Sequence, residues 1–343
     1  MIAQLKDAGL SQNKTLRMIG LSKSSYQYRS KPRPAVTAPT PQRDRPHPAA
    51  LTAAEDDAIV GLLRDSEVSV TETYYRHLDD GDYIASLASF HRRARREKIP
   101  MARTGTRRRT KKTPADASTP VLAATGPGQV LCWDISFLPG PYRSVSYALY
   151  LIIDLFSRLI CGWTIQHQEN KYVAAELMDQ VLAETGTIRT VHSDNGGAMT
   201  STTMQRTLDK HHVTQSLIRP GVSNDNAQME SVFRTVKYGP AWPGVFESID
   251  DANAWFGRFV HAYNNEHHHT GLAGYTPAQV HDGTWITTAR HRQATLDAAY
   301  EANPNRYRHR PQVAIPPDRV TLNIGHDDGH THTPPTLLEL LAG

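Results

Sequence analysis

The sequence predicts an α/β core, a mixed β-sheet flanked by helices, with all-helical regions ahead of it in the chain. Two changes of pattern along the 343 residues lead to this fold class. Up to about residue 98, apolar residues recur at helical spacing. Between residues 126 and 238, segments that alternate with a period of two are interleaved with amphipathic helices. We therefore expect the sheet in the middle of the chain.

Residues 1–30 are predicted to form short helices with tight turns, a helix-turn-helix-like segment. Ser11 and Ser22 can cap the second and third helices, and Gly20 can end the second. Many small helical bundles share this pattern, so a simple packing module is the alternative to a DNA-binding unit. Residues 31–50 are rich in proline and are expected to be a linker.

Four further regions are expected after this linker. Residues 51–98 carry the apolar spacing of three more helices, which we interpret as a second, DNA-binding helical domain. Residues 99–124 form a basic linker, and residues 125–285 form the α/β core. Residues 286–343 are a C-terminal extension that begins with a helical piece and ends in a tail without a clear period.

The predicted elements of the core follow from its alternation and its helix caps. The expected strands are 130–137, 146–153, 159–165, 188–192 and 213–217. The expected helices are 171–185, one near 202–211, one that starts near 226, and a long amphipathic helix at 250–264. Strands and helices in this order indicate a sheet that is covered by helices.

Positive charge is concentrated in one stretch, although the net charge of the whole chain is only +4. Between Arg92 and Lys112 there are eleven lysines or arginines and a single acid, Glu97. Such a stretch suits the phosphate backbone of DNA, because each neutralised phosphate releases counterions. A solvated linker or a helix with one charged face is the alternative, which we disfavour because arginine dominates. The candidate DNA-binding residues here are Arg92, Arg93, Arg95, Arg96, Arg107, Arg108, Arg109, Lys111 and Lys112.

The composition is that of a globular protein, with 39% hydrophobic and 21% charged residues. We expect a cytoplasmic protein, because no apolar run is long enough to cross a bilayer and the first residues lack the pattern of a signal peptide. The two cysteines, Cys132 and Cys161, lie in apolar strand-like segments. We expect them to be buried free thiols, not a disulfide or a metal site.

Three acidic residues each lie in a segment that can aim a carboxylate at a shared point. Asp134 lies within the first predicted strand, Asp194 follows the fourth, and Glu230 lies in the first turns of a predicted helix. The two aspartates are 60 positions apart, and 35 residues separate Asp194 from Glu230. Three carboxylates form a hard oxygen site suited to Mg²⁺ or Mn²⁺, and a pair of such ions supports phosphodiester chemistry. The pattern indicates an enzyme that acts on nucleic acid.

Each acid also has a purely structural explanation. Asp134 could be a satisfied buried carboxylate, and Asp194 could be a turn residue. Glu230 could belong to a surface ladder with Arg234 and Lys237, which lie one and two helical turns further along the same face. A ladder explains this helix but not the two aspartates. We therefore interpret Arg234 and Lys237 as candidate contacts to the DNA backbone beside a metal ligand.

Two other polar groups are set aside as catalytic candidates. Asp154 lies in a turn beside Ser157, where helix-like capping or an ion pair explains it. The adjacent histidines His267, His268 and His269 suggest a metal site at first sight. Adjacent residues point in different directions, however, so a structural or DNA-facing role is the preferred interpretation.

At this point several motifs resemble those of the DDE transposases of the insertion-sequence 3 family, which share an integrase core with retroviral integrases. The resemblance covers roughly residues 125–282. It rests on the segments Val130-Leu131-Cys132-Trp133-Asp134-Ile135, Leu151-Ile152-Ile153-Asp154-Leu155-Phe156-Ser157-Arg158, His192-Ser193-Asp194-Asn195-Gly196, Asp225-Asn226-Ala227-Gln228-Met229-Glu230-Ser231, and Tyr263-Asn264 through Leu272 to Thr276-Pro277.

The resemblance implies an RNase H-like fold with a five-stranded sheet, in which Asp134, Asp194 and Glu230 are catalytic and bind two Mg²⁺ ions, with Mn²⁺ as a substitute. It also implies nicking and strand transfer at the ends of an insertion element. The partners would be the terminal inverted repeats and the target DNA, bound by a homo-oligomer on the bacterial nucleoid. Two other functions stay open: a non-catalytic DNA-binding regulator with a relic core, and an RNase H-like nuclease.

Overall fold

A computed structural model describes residues 2–31, 41, 49–99, 122–218, 226–239 and 241–322. The chain divides into two compact units, residues 1–50 and residues 51–343. Among the described residues, no helix has both the length and the apolar character needed to cross a bilayer.

The first unit contains the three short helices that the sequence predicts. They are α1 (Ile2–Asp7), α2 (Gln12–Met18) and α3 (Lys23–Ser30). The Ser11 side chain accepts a hydrogen bond from the backbone N–H of Lys14, and the Ser22 side chain accepts one from Ser25. These serines therefore satisfy N–H groups that the first turn of a helix leaves without partners.

The second unit begins with the helical region, residues 51–98. It consists of α4 (Ala53–Arg64), α5 (Val70–Asp79) and α6 (Leu87–Arg96). Thr52 and Glu55 form a capping box at the start of α4, as hydrogen bonds run both ways between them. The three helices enclose a small core of their own, centred on the buried Ile59, Leu63 and Phe90.

A mixed five-stranded sheet follows, and it confirms the predicted fold class. Its strands are β2 (Val130–Pro139), β3 (Ser146–Asp154), β4 (Ile160–Gln166), β5 (Thr190–Ser193) and β6 (Thr214–Leu217). They lie in the order β4-β3-β2-β5-β6. The β2, β3 and β4 strands pair antiparallel, whereas β5 pairs parallel with both β2 and β6. This is an RNase H-like arrangement with β2 at its centre.

Helices cover both faces of the sheet. On one face lie α7 (Lys171–Thr185) and α8 (Thr202–Lys210), and on the other lie α9 (Ala227–Tyr238) and α10 (Ile249–Asn265). The alternation in β2 decides which residues face which pair. Trp133 packs with the α7 and α8 cluster, whereas Cys132 packs with the α9 and α10 cluster. Asp134 therefore lies on the α9 side of the sheet.

The predicted turn role of Asp154 is observed at the end of β3. Its Oδ1 accepts hydrogen bonds from the backbone N–H and the hydroxyl of Ser157, both at 2.7 Å. Its Oδ2 accepts one from the backbone N–H of Gly128 at 2.8 Å. Both oxygens of this fully buried carboxylate thus serve the turn.

The described C-terminal part of the chain contains the predicted helical piece and, in addition, a short strand. It contains α11 (Pro277–Asp282), the long α12 (Trp285–Ala302) and the short strand β7 (Val320–Leu322). The β7 strand pairs antiparallel with β1 (Leu122–Ala124), just ahead of the main sheet. Neither short strand is predicted, because three residues are too few to show a period.

A buried arginine ties the helical region to this C-terminal part. Arg292 of α12 is fully buried, and its guanidinium donates to both carboxylate oxygens of Asp79, the last residue of α5. The Nε2 atom of His268 lies 2.9 Å from the Oδ2 atom of the same carboxylate. Removing one member of a buried ion pair typically costs about 3–5 kcal/mol. The Asp79 and Arg292 pair therefore holds α5 against the region that carries the sheet.

Two tyrosine rings enclose the Arg292 guanidinium. Its carbon lies 4.7 Å from the ring centroid of Tyr75 in α5 and 4.3 Å from that of Tyr275. The guanidinium also donates to the carbonyl oxygen of Gly274 at 2.8 Å. Gly274 has a φ of +77°, and a Cβ atom at this position would overlap the Tyr75 ring. The close approach of α5 therefore requires glycine at position 274.

We predict that Gly274→Ala lowers the free energy of unfolding by about 2–5 kcal/mol, since it adds overlap with Tyr75 to the strain of a positive φ. Gly283→Ala is the matched control. Gly283 has a φ of +81° but nothing within 4 Å of an added Cβ, so it should cost only about 1–2 kcal/mol. Urea unfolding followed by circular dichroism measures both.

Replacing Tyr75 by alanine separates the cost of overlap with the ring from the cost of backbone strain at a positive φ. In that background, Gly274→Ala should cost no more than Gly283→Ala, because the ring that it would meet is gone. Equal costs for the two glycines in the wild-type background would contradict the close contact between α5 and Gly274.

Candidate active site

The pairing of β2 with β5 brings two of the predicted acids to equivalent positions. These strands are parallel, and Cys132 is the register partner of His192. Asp134 and Asp194 each lie two residues beyond this pair, Asp134 within β2 and Asp194 directly after the end of β5. Adjacent strands are only about 4.8 Å apart. The register therefore makes the two aspartates neighbours on the α9 side of the sheet.

Local hydrogen bonds hold both aspartates in place. The Oδ1 atom of Asp134 accepts a hydrogen bond from the backbone N–H of Ile135 at 2.7 Å. The Oδ1 atom of Asp194 accepts one from the backbone N–H of Gly196 at 2.9 Å. Asp194 follows β5 directly, so it lies at the carboxyl end of a parallel strand, where α/β sheets place their sites.

The third acid, Glu230, lies in the first turn of α9. This helix packs on the sheet through the buried residues Met229, Val232, Phe233 and Val236, as the apolar spacing predicts. Its polar side carries Lys237, whose Nζ donates to the Ser136 hydroxyl at 2.7 Å. Ser136 and Asp134 are on the same face of β2. Because Glu230 shares the helix face of Lys237, α9 presents both charged groups to the side of the sheet that carries Asp134.

The electrostatics of Asp134 connect the three acids. Burial, followed by the negative charges of Asp194 and Glu230, raises the pKa of the Asp134 carboxyl to about 7. The Ile135 N–H and the Lys237 ammonium oppose this rise. Burial lowers the pKa of Lys237, and the charge of Asp134 counteracts that effect. Asp134 thus lies within the electrostatic reach of both other carboxylates, an arrangement that costs free energy unless a cation compensates it.

The donor atoms fit a hard divalent cation. In the described ranges, one carboxylate oxygen of Asp134 and one of Asp194 accept no hydrogen bond from the protein, and the Glu230 side chain is exposed. Carboxylate oxygens are the ligands that Mg²⁺ and Mn²⁺ prefer. In these same ranges, no three His, Cys, Asp or Glu side chains are grouped closely enough to hold one metal ion. The role of the three acids as metal ligands therefore stays a prediction.

The candidate DNA contacts differ in how free their charges are. Arg234 of α9 is exposed and has no acidic partner among the described residues. On α6, Arg92 and Arg95 are exposed and have no acidic partner among the described residues. Arg96 is exposed but lies 3.2 Å from Glu97, and Arg93 lies 2.6 Å from the Asp56 carboxylate of α4. The Asp56 carboxylate thus neutralises Arg93 within the helical region. Arg107, Arg108, Arg109, Lys111 and Lys112 lie outside the described residues, and all of these DNA contacts stay predictions.

The three adjacent histidines point to three different partners, which agrees with a structural role. His267 Nδ1 lies 3.5 Å from Glu72 of α5, and His268 contacts Asp79. The Nδ1 atom of His269 accepts a hydrogen bond from the backbone N–H of Gly271 at 3.0 Å. Burial, together with the nearby His267 and Arg158, lowers the pKa of His269 to about 3. Two of these residues therefore hold the helical region, and the third shapes a turn.

Comparisons with protein families address the region that contains these acids. Residues 124–223 match one family model described as an integrase core domain, and residues 211–277 match a second model with the same description. The middle of the chain is therefore similar to integrase core domains. Asp134, Asp194 and Glu230 all lie within these matches.

Curated relatives confirm the resemblance to insertion-sequence 3 transposases. The chain is 29% identical over 162 residues to the transposase for insertion sequence element IS904 of Lactococcus lactis subsp. lactis (strain IL1403). It is 30% identical over 161 residues to transposase InsF for insertion sequence IS3A of Escherichia coli (strain K12). Each match covers 46% of this chain, and 62% and 54% of the two relatives. The chain therefore spans little more than half the length of these relatives.

The similarity to solved structures is lower. The HTLV-2 integrase catalytic core domain in complex with magnesium, in its dimeric form, is 17% identical with a TM-score of 0.35. That match covers 46% of this chain and 97% of that chain. The catalytic core domain of BIV integrase is also 17% identical, with a TM-score of 0.37 and coverage of 47% and 97%.

Two features of the site are not identified from the sequence. The Lys237 ammonium is held by Ser136, and this pairing joins positions 101 residues apart. The alternation of β2 places Ser136 on the face of Asp134, which is the one signal that was present. The sequence also does not indicate that aromatic residues lie partly exposed beside α9. The spacing of Trp255 and Phe259 is that of an ordinary apolar stripe that packs in the core.

We predict that the protein binds Mn²⁺ and that Asp134→Asn weakens this binding at least about tenfold, because a nearly isosteric neutral amide replaces the central carboxylate. Isothermal titration calorimetry measures the affinity. Glu176→Gln, which neutralises an exposed acid on α7, is the control and should leave the affinity unchanged. Equal affinities for wild type and Asp134→Asn would remove Asp134 from the site.

Proposed function

We propose that the chain is a transposase, a DDE-type polynucleotidyl transferase that nicks DNA at the ends of an insertion element and transfers the freed strand. The proposal is supported chiefly by the parallel pairing of β2 with β5, which brings Asp134 and Asp194 together, and by the charge of Glu230 that acts on Asp134. The match of residues 124–223 to an integrase core model supports it as well. The names of the curated relatives, transposases of IS904 and IS3A, point to the same activity.

In this proposal the three carboxylates hold Mg²⁺, two ions in the full site, with Mn²⁺ as a substitute. When bound, such ions activate a water or a DNA 3′-hydroxyl as nucleophile and stabilise the leaving oxygen. Asp134 supplies a ligand from the central strand β2, and Asp194 supplies a second ligand from the end of β5. Glu230 supplies the third ligand from α9, a helix whose position depends on its packing against β2.

Cationic residues hold the DNA in the same proposal. Lys237 lies beside the acids and is oriented by Ser136, so it can pair with the phosphate next to the reacting one. Arg234 lies one helical turn away from Glu230, on the same face and in solvent. The exposed arginines of α6 and the basic stretch that follows it contribute non-specific affinity for duplex DNA. We propose that the working form is a homo-oligomer on paired element ends.

We predict that Asp134→Asn, Asp194→Asn and Glu230→Gln each reduce nicking and strand transfer by at least about a hundredfold, because the metal site needs all three charges. The substrate is a supercoiled plasmid that carries the DNA flanking the gene, incubated with Mg²⁺ and analysed on denaturing gels. Glu176→Gln should retain full activity.

Three results would contradict the proposal. Normal activity in any one of the three mutants would remove that acid from the mechanism. Binding of duplex DNA without any Mg²⁺-dependent cleavage would identify a regulator with an inactive core. Preferential cutting of an RNA–DNA hybrid over duplex DNA would identify a nuclease instead.

A further inference from the structure

A cavity of about 470 Å³ lies where α5, α9 and α10 meet. Its wall contains Arg76 of α5, Arg234 and Tyr238 of α9, Trp242 of the α9–α10 connection, and Trp255 and Phe259 of α10. Ligand sites of proteins commonly have this size and lie at the junction of two regions. None of the three candidate catalytic acids, Asp134, Asp194 and Glu230, lines this cavity.

The cavity adjoins the candidate active site along α9. Glu230, Arg234 and Tyr238 succeed one another at intervals of one helical turn, so Tyr238 is about 12 Å from Glu230 along the axis. Arg234 belongs both to the face of Glu230 and to the cavity wall. A nucleic-acid strand whose phosphate reaches Glu230 would therefore pass Arg234 and arrive at the mouth of the cavity.

The wall of the cavity is aromatic and rigid. Trp255 and Phe259 are stacked with their ring centroids 5.5 Å apart, and Trp242 meets Trp255 edge to face, also at 5.5 Å. The indole N–H of Trp255 donates to the carbonyl oxygen of Ala241 at 2.9 Å, which fixes the ring. Trp242, Trp255 and Phe259 are only half-buried, although they border the core cluster. Part of each of these apolar rings thus remains exposed to a ligand.

The charges at the wall favour a ligand that carries a phosphate on one side. Glu72 is compensated by Arg76 at 2.9 Å, and its other oxygen lies 3.5 Å from the His267 ring. Glu266 is exposed at the far edge, 4.0 Å from His261. Among the described residues, Arg234 is the cation of the wall that no acid neutralises. An anionic group therefore fits at the α9 side, and a neutral aromatic group fits inside.

We propose that this cavity holds one unpaired nucleobase of the DNA strand whose phosphates lie along α9. The inference rests on the proposed function, because it places the base next to the reacting strand. A nucleobase is planar and uncharged and is linked to a phosphate, so it matches both sides of the wall. Bases that stack on protein aromatic rings typically gain about 1–3 kcal/mol each. Duplex DNA keeps its bases paired, so only an unpaired base can enter.

The test compares two DNA probes that differ only in their bases. Both are the same fluorescein-labelled duplex with a single-stranded overhang, made of adenosines in one and of abasic residues in the other. Binding is measured by fluorescence anisotropy in EDTA, so that no cleavage is needed. The wild-type protein should bind the adenine overhang roughly fivefold or more tightly than the abasic one.

Variants of residues that line the cavity test whether the preference for the adenine overhang arises there. Tyr238→Ala removes part of the wall, and Thr235→Leu narrows the cavity from the same helix. Both should reduce the preference for the adenine overhang to less than about twofold while leaving binding of the abasic probe unchanged. Tyr142→Ala is the matched control: its side chain is 73% exposed, close to the 67% of Tyr238, but lies in the β2–β3 connection away from the cavity.

A direct readout comes from 2-aminopurine placed in the overhang, whose fluorescence falls when the base stacks on aromatic rings. The signal should fall with wild type and with Tyr142→Ala, and it should fall less with the two cavity variants. Equal affinity of wild type for both overhangs, or a preference that survives both cavity variants, would overturn the inference and leave the proposed function intact. Failure to bind any DNA would overturn both.

Discussion

The parallel pairing of β2 with β5 is the constraint on which the candidate site depends. It sets two aspartates side by side at the carboxyl end of β5, although their charges repel. The strands are held in this register by backbone hydrogen bonds and by apolar clusters on both faces, which together outweigh the repulsion of one carboxylate pair. A slip of one residue would turn Asp134 towards α7 and α8, where only apolar side chains could surround it. The register therefore fixes the chemistry of the site.

The α9 helix adds the third charge under a similar constraint. Its apolar face is held by the sheet, so Glu230, Arg234 and Lys237 are left on the side that faces the aspartates and solvent. The same packing leaves the aromatic residues of α10 partly uncovered beside α9. The helical region completes this arrangement from the other side, since the Asp79 and Arg292 pair and the contact of Tyr75 with Gly274 hold α5 against the turn after α10. The three candidate acids, the exposed Arg234 and the aromatic cavity thus lie along the same side of α9.

The sequence predicts much of this arrangement because its signals are local. The alternation of β2, the apolar spacing of α9 and the caps of the first helices each depend on neighbouring residues, and the fold class is confirmed. The mixed direction of the sheet also follows from short connections between β2, β3 and β4 and helical connections to β5 and β6. The turn role of Asp154 is predictable for the same reason, because its partner Ser157 is only three positions away.

Long-range contacts account for what the sequence does not predict. Asp79 and Arg292 are separated by 213 positions, and nothing in their local sequence links them. The histidine run attracts attention as a metal site, yet its members are distributed between α5 and a local turn. The β1 and β7 pair is too short to show alternation. In the same way, the spacing of Trp255 and Phe259 indicates only that they face inward. Whether a cavity remains beside them depends on how distant parts of the chain pack around them.

The central claim is that three carboxylates from β2, the end of β5 and α9 meet around a divalent cation. Anomalous X-ray diffraction from crystals grown with Mn²⁺ tests it most directly, because the metal is located without reference to any model of the protein. We expect an anomalous peak within about 2.2 Å of oxygen atoms from Asp134, Asp194 and Glu230. Manganese bound elsewhere, with Asp134 directed away from it, would contradict the account.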